Sequence, residues 1–120
     1  MKRLACLLAI LCGGSFAHAG QKLTYEVTVA SSWAQGALGS ARASADSNQM
    51  VMIQNGATWS AFYARDATGK TASCTTTSPD LIALARSANS DAFVYFTWDT
   101  TGACTGAVIT NASYMAPKTP

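Results

Sequence analysis

Residues 91–111, with the sequence DAFVYFTWDTTGACTGAVITN, decide the fold. Two apolar runs flank Asp99-Thr100-Thr101-Gly102, a pattern typical of a hairpin loop whose glycine adopts the left-handed conformation. Aromatic side chains, which favour strands, dominate the first run. We therefore predict two antiparallel strands, at 91–99 and 104–111.

The register of this hairpin sets which residues share a face. We expect Asp99 to face Ala103 across the loop and, in an unbroken ladder, Phe96 to face Gly106. One face is then apolar and includes a cysteine: Val94, Phe96, Trp98, Cys104 and Val108. The other face is apolar as well: Phe93, Tyr95, Ala107 and Ile109. Something must cover this second face, either the N-terminal segment or a partner protein.

A second set of strands precedes this hairpin. Asp66-Ala67-Thr68-Gly69 repeats the loop pattern, and the same register sets Phe62 opposite Cys74. A strand at 49–53 leads through an Asn-Gly turn signal into a return strand at 59–65. The two loop aspartates could belong to a binding or calcium site, but one acid in each loop favours a structural role in which the carboxylate caps the backbone.

Helical signals occur at two places. Ser78-Pro79-Asp80 supplies an N-cap, a proline at the first helical position and an acid in the first turn, which predicts a firm helix over 78–88. The Ala-, Ser- and Gly-rich stretch at 31–48 predicts a loop followed by a short, weak helix at 39–47.

The remaining segments complete an α+β domain. Alternating polar and apolar residues over 22–29 predict the first strand, and the segment 113–120 predicts a loosely held tail. We therefore expect an antiparallel β-sheet of five or six strands, with the 78–88 helix packed on it and the second short helix beside it.

The N-terminal residues have the layout of a secretory signal peptide. Lys2 and Arg3 precede an apolar run, and residues 17–19 (Ala-His-Ala) form a cleavage site. The apolar run is too short to span a bilayer. The sequence thus predicts a leader at 1–19 and a single exported domain at 20–120, periplasmic or extracellular, with no membrane insertion after cleavage.

Cleavage would change the charge and the residue inventory. The eight basic residues would fall to six, equal to the six acidic ones, and the one histidine, His18, would be lost. A net charge near zero offers no electrostatic basis for binding nucleic acid or an anionic membrane. The loss of histidine excludes a Ser-His-Asp triad and histidine-ligated zinc. The sequence predicts neither a metal nor a cofactor.

Two cysteines, Cys74 and Cys104, would remain in the exported domain. An even pair in an oxidising compartment predicts one structural disulfide. A redox-active pair is the alternative, but redox cysteines usually stand in a Cys-x-x-Cys motif, and about thirty residues separate these two.

Candidate binding residues fall into two groups. Arg42 and Asp46 lie in an uncrowded Ser- and Ala-rich segment, where the guanidinium could bind a carboxylate or phosphate group. The alternative is an ion pair between these two side chains that stabilises a weak helix. The second group consists of aromatic residues too numerous for the core of a small domain. They are Trp33, Trp59, Tyr63 and Tyr95.

These features favour an exported, non-catalytic interaction module, such as an inhibitor or an accessory subunit of an envelope or extracellular assembly. Its partner would be another exported protein or an envelope component. One alternative is a small carboxylate-dependent hydrolase of envelope polysaccharide that uses Glu26 and Asp46, the acids without an evident local role. Another is a self-assembling structural subunit, based on the two-sided apolar hairpin. The enzyme question stays open, and the sequence favours a protein that is not an enzyme.

Overall fold

The computed structural model describes residues 20–116, and the predicted leader at 1–19 lies outside the described residues. The strands are β1 (Thr28–Val29), β2 (Trp33–Ala37), β3 (Met50–Asn55), β4 (Ser60–Arg65), β5 (Thr71–Thr76), β6 (Phe93–Trp98) and β7 (Cys104–Thr110). The helices are α1 (Leu38–Ala43) and α2 (Pro79–Ser87). The α+β class is confirmed.

The strands form two antiparallel sheets rather than one sheet of five or six strands. One sheet has the order β1-β2-β6-β7 and the other the order β3-β4-β5. Their inner faces meet in the core, where Phe62 of β4 stacks on Phe96 of β6 with ring centroids 5.5 Å apart. Both rings are fully buried. The seven strands thus enclose one hydrophobic layer between two sheets.

Strand β2 occupies a segment that we predicted to be a loop. Its inner face carries Ala34, which is fully buried, and Gly36. A Cβ atom at Gly36 would lie 2.9 Å from a methyl group of Val51 and 3.0 Å from one of Val27. The small residues therefore result from close packing against neighbouring strands, although their composition resembles that of a loop.

The predicted strand at 22–29 forms a regular ladder only at Thr28–Val29. Further upstream, Leu23 pairs with the C-terminal segment, because its N–H donates to the Tyr114 carbonyl and its carbonyl accepts from the Ala116 N–H. Met115 is buried beside this pairing. The expectation of a loosely held tail is therefore wrong as far as residue 116.

The two helices differ in how well the sequence predicts them. Helix α2 lies within the predicted 78–88, buries Ile82 and Ala85, and packs against β3, β4 and β7. Helix α1 is shorter than the predicted 39–47, since the backbone becomes extended at Ser44 (φ −65°, ψ 139°). It packs against β2 and β3.

Both predicted glycine loops have the expected structure. Gly69 and Gly102 have φ values of 87° and 84°. The Asp66 carboxylate accepts hydrogen bonds from the N–H and hydroxyl of Thr68 and from the Lys70 N–H. In the second loop, Asp99 accepts the equivalent three hydrogen bonds, from Thr101 and Ala103. The aspartates therefore cap their own loops, as predicted for the structural role.

The β6–β7 hairpin contains a β-bulge that the predicted register lacks. Trp98 faces Cys104 as expected, but the ladder shifts between Thr97 and Trp98, and Phe96 faces Ala107 instead of Gly106. A one-residue shift reverses every subsequent side chain on the strand. Consequently Ile109 packs on the core, whereas Val108, predicted to be inside, is 50% exposed.

The Cys74–Cys104 disulfide forms as predicted. It joins β5 of one sheet to β7 of the other, and Cys74 faces Phe62 across the β4–β5 ladder. Beside it, the Thr75 N–H donates to the Gly102 carbonyl at 3.1 Å. The covalent bond therefore closes the side of the molecule at which the two sheets approach each other.

Candidate functional site

The outer face of the four-stranded sheet, which points away from the core, carries two aromatic pairs. Trp33 of β2 lies beside Tyr95 of β6 with ring centroids 6.0 Å apart. Tyr25 packs on Phe93 at 5.1 Å. Val108 of β7 projects from the same face, because it is the ladder partner of Tyr95. We call Tyr25, Trp33, Phe93, Tyr95 and Val108 the aromatic face.

Strand alternation and register build this surface. Along β6, Val94 and Phe96 point into the core and are fully buried, so that the residues between them point outward. Pairing with β2 then sets Trp33 opposite Thr97 and Gln35 opposite Tyr95. Side chains directly opposite each other on neighbouring strands lie on the same face of the sheet.

The aromatic face is electrically neutral. None of the residues in β1, β2, β6 and β7 is charged. Its polar groups are the phenol hydroxyls of its two tyrosines and the indole N–H of Trp33, all uncharged. Beside them lie the Gln35 amide and the Thr97 hydroxyl, which is 2.7 Å from the Thr105 hydroxyl. Burial of this surface against a partner would therefore remove rings and a methyl-bearing side chain from water without desolvating an ion.

The chain itself covers one end of the aromatic face. Tyr25, from the N-terminal segment, packs on Phe93, and both side chains are half-buried. At the other end Trp33 and Tyr95 remain half-buried, and Val108 is exposed. The bulge turns Ile109, predicted on this face, toward the core. The N-terminal segment therefore covers only part of the second apolar surface.

Arg42 has a structural partner other than the one predicted. Its guanidinium forms an ion pair with Asp91, whose side chain is 10% exposed, and donates to the Ser90 carbonyl at 2.9 Å. Asp46 instead accepts a hydrogen bond from the Asn48 N–H. The predicted Arg42–Asp46 pair is wrong because α1 ends at Ala43, which removes the helical spacing. The guanidinium therefore holds the residues that lead into β6.

The other two aromatic candidates lie on separate surfaces. Trp59 lies in the loop between β3 and β4, where it lines a cleft. Tyr63 lies on the outer side of the three-stranded sheet, where Met52 and Ser73 flank it as ladder partners. Of the four predicted aromatic residues, the fold therefore brings together Trp33 and Tyr95.

Sequence reasoning missed two members of the aromatic face, Val108 and Tyr25. The period-two alternation that placed Phe93 on the face of Tyr95 put Val108 on the opposite face, because the predicted register lacked the bulge. Tyr25 has no such local signal, because its position over Phe93 depends on the path of the N-terminal segment along β2.

The acids proposed for hydrolysis do not form a pair in a pocket. Glu26 is exposed and lines a pocket of about 240 Å³ together with Ser40 and Gln49. Neither Asp46 nor another carboxylate lines that pocket. Glycoside hydrolysis generally needs two carboxyl groups that flank the scissile bond. This geometry gives the hydrolase hypothesis no support.

Comparisons with known protein families, curated proteins and solved structures found no match. Among residues 20–116, no helix has the length and apolar character needed to cross a membrane. The same residues contain no group of three or more histidine, cysteine or acidic side chains that could hold a metal ion.

Proposed function

We propose that the protein is an exported, non-catalytic interaction module that binds another exported protein through the aromatic face. The observation that carries this proposal is the exposure of Val108 beside the half-buried Trp33–Tyr95 pair, on a sheet without charged residues. Protein interfaces are enriched in aromatic residues and depleted of charge at their centres. Rigid aromatic anchors commonly supply most of the binding energy.

The disulfide supports both the exported location and the binding role in this proposal. Disulfides persist in oxidising compartments, and Cys74–Cys104 is a covalent link between the two sheets. The same link limits movement of one sheet against the other, so the aromatic face is presented on a rigid support. A preorganised surface loses less conformational entropy on binding than a flexible one does.

The test places one negative charge on the exposed part of the aromatic face, beside the Trp33–Tyr95 pair. We expect Val108→Asp to abolish capture of the partner from envelope and culture extracts by the immobilised, oxidised protein. Met52→Asp is the matched control, because Met52 is 41% exposed at an outward β-strand position of the other sheet. The free energy of unfolding of both variants should stay within about 0.5 kcal/mol of the wild-type value, as is typical of surface substitutions.

Two results would overturn the proposal. If Val108→Asp retained the partner as well as Met52→Asp did, the aromatic face would not be the binding surface. If the purified protein instead sedimented as a dimer or larger assembly, and Val108→Asp made it monomeric, the occupant of the face would be a second copy. That result would favour the self-assembling subunit.

A further inference from the structure

A separate cleft lies between the loop that joins β3 to β4 and the side of the molecule closed by the disulfide. Its volume is about 680 Å³, within the range of about 300–1,000 Å³ typical of small-molecule sites. Trp59 forms one wall, Thr75–Ser78 a second and Ala103–Cys104 a third. It shares no residue with the aromatic face.

The Trp59 indole packs against the backbone of its own loop. It lies so close to Gly56 that a Cβ atom there would collide with the indole nitrogen and two ring carbons. The loop backbone is closed by a hydrogen bond from the Gly56 N–H to the Trp59 carbonyl at 2.8 Å. Arg86 of α2 donates to the carbonyls of Gly56 and Ala57. The ring therefore packs on a loop whose backbone is held by hydrogen bonds, and 37% of Trp59 is exposed.

The opposite wall supplies hydroxyl groups. Thr75 and Thr77 are exposed on either side of buried Thr76, whose hydroxyl accepts a hydrogen bond from the Ser78 N–H. Ser78 stands at the N-cap of α2, yet its own hydroxyl makes no capping hydrogen bond. A serine at this position usually caps the helix through its side chain. Its hydroxyl is consequently available to a ligand, as are those of its exposed neighbours.

The lining residues carry no charge, and the walls are rigid. All seven side chains are aromatic, hydroxylated, methyl or disulfide groups, so the cleft has no group that would select an ion. The second and third walls are joined by the Cys74–Cys104 disulfide and by the hydrogen bond from Thr75 to Gly102. The cleft is therefore preorganised for a neutral ligand.

We propose that this cleft binds a neutral saccharide of one or two sugar units. The C–H face of a sugar ring matches the apolar indole of Trp59, and its hydroxyl groups match those of Thr75, Thr77 and Ser78 as both donors and acceptors. The ligand is a free sugar or the end of an envelope glycan, which share this chemistry.

Titration of the oxidised protein with neutral disaccharides, namely cellobiose, maltose and N,N′-diacetylchitobiose, tests the proposal by heteronuclear NMR. The chain has three tryptophans, so three indole N–H signals report on separate places. We expect at least one of these sugars to shift the Trp59 indole and the amides of residues 75–78 saturably, while the Trp33 indole stays unchanged.

Substitutions in the cleft test whether its side chains contact the sugar. Trp59→Ala should weaken binding at least about tenfold, as expected for loss of an aromatic anchor. Gly56→Ala keeps the indole but pushes it from its place, and should weaken binding comparably. Thr77→Val, which removes a hydroxyl at nearly constant shape, should weaken it about fivefold. Met52→Ala, at an exposed outward position of β3 that belongs to neither site, is the control and should bind with wild-type affinity.

The outcomes decide the proposal independently of the aromatic face. If no disaccharide shifts the Trp59 indole at its solubility limit, or if the Trp33 indole responds instead, the proposal is wrong. Binding to soluble disaccharides together with retention on insoluble cell-wall glycan identifies a chain end as the ligand. Binding to the soluble sugars alone identifies a free sugar.

Discussion

Gly69 and Gly102 occupy equivalent positions in two hairpin loops, at φ values of 87° and 84°. No atom lies within 4 Å of the place where a Cβ would stand at either glycine, so a side chain there would meet backbone strain alone. We expect Gly69→Ala to lower the free energy of unfolding by about 1 kcal/mol, and Gly69→Asn by less, because asparagine tolerates the left-handed region. Urea denaturation measures both. Equal costs for alanine and asparagine would contradict this account.

The loop aspartates should titrate below their usual range. The hydroxyl hydrogen bond from Thr68 is the largest cause that lowers the pKa of Asp66 from 3.8, and Thr101 has the same effect on the pKa of Asp99. A carboxyl group with a lowered pKa in the folded state stabilises that state above its unfolded pKa. This contribution disappears as the pH falls through the folded pKa, so both loops should weaken only below about pH 4.

Carbon-13 NMR of the carboxyl groups measures these two pKa values directly. Thr68→Val should raise the pKa of Asp66 toward 3.8 and leave that of Asp99 unchanged, whereas Thr101→Val should do the reverse. If both carboxyl groups titrated at 3.8 in the wild-type protein, the hydrogen-bonded loop geometry would be wrong.

At the scale of the element, the bulge in the β6–β7 hairpin decides which of two adjacent aliphatic residues supports the core. Ile109 packs against the core and Val108 is exposed. We expect Ile109→Ala to cost about 2 kcal/mol, whereas Val108→Ala stays within about 0.5 kcal/mol. Denaturation midpoints of the two variants measure the difference. An unbroken ladder would give the reverse order.

Elements with local signals could be predicted from the sequence. The proline at the first helical position marks the start of α2, and each Asp-x-x-Gly loop fixes its own geometry through side-chain hydrogen bonds within five residues. Strand β2 and the bulge could not be predicted. The small residues of β2 have a reason only in the closeness of Val27 and Val51. In β7, Gly106 stands beside the extra position and is compatible with a bulge, but it does not fix the register of the ladder.

At the scale of the whole molecule, the same distinction applies to the candidate sites. Trp33 and Tyr95 were predicted separately as exposed aromatic residues, and their proximity follows from a pairing between strands about sixty residues apart in the chain. The cleft depends on three chain segments that the fold brings together. Among its lining residues, Trp59 alone was predicted as a binding residue. Individual residues with binding chemistry could therefore be recognised, but not the surfaces that they form.

The disulfide stabilises the arrangement of the two sheets that both surfaces need. It closes a loop with a sequence separation of 30 residues, which corresponds to about 3.5 kcal/mol in the chain-entropy model. We expect the double variant Cys74→Ala/Cys104→Ala to lose roughly this much stability in urea denaturation. Its m-value should rise, because an unfolded chain without the cross-link exposes more surface.

Hydrogen exchange distinguishes loss of this constraint from general loosening of the fold. The Thr75 N–H, which donates to Gly102 beside the disulfide, should lose more protection in the double variant than amides in the middle of the β3–β4 ladder do. This follows because the Phe62–Phe96 stack still holds the centres of the two sheets together. A uniform loss of protection across both sheets would mean that the disulfide supports the whole core, and that its role is not confined to the side of the molecule that contains the cleft.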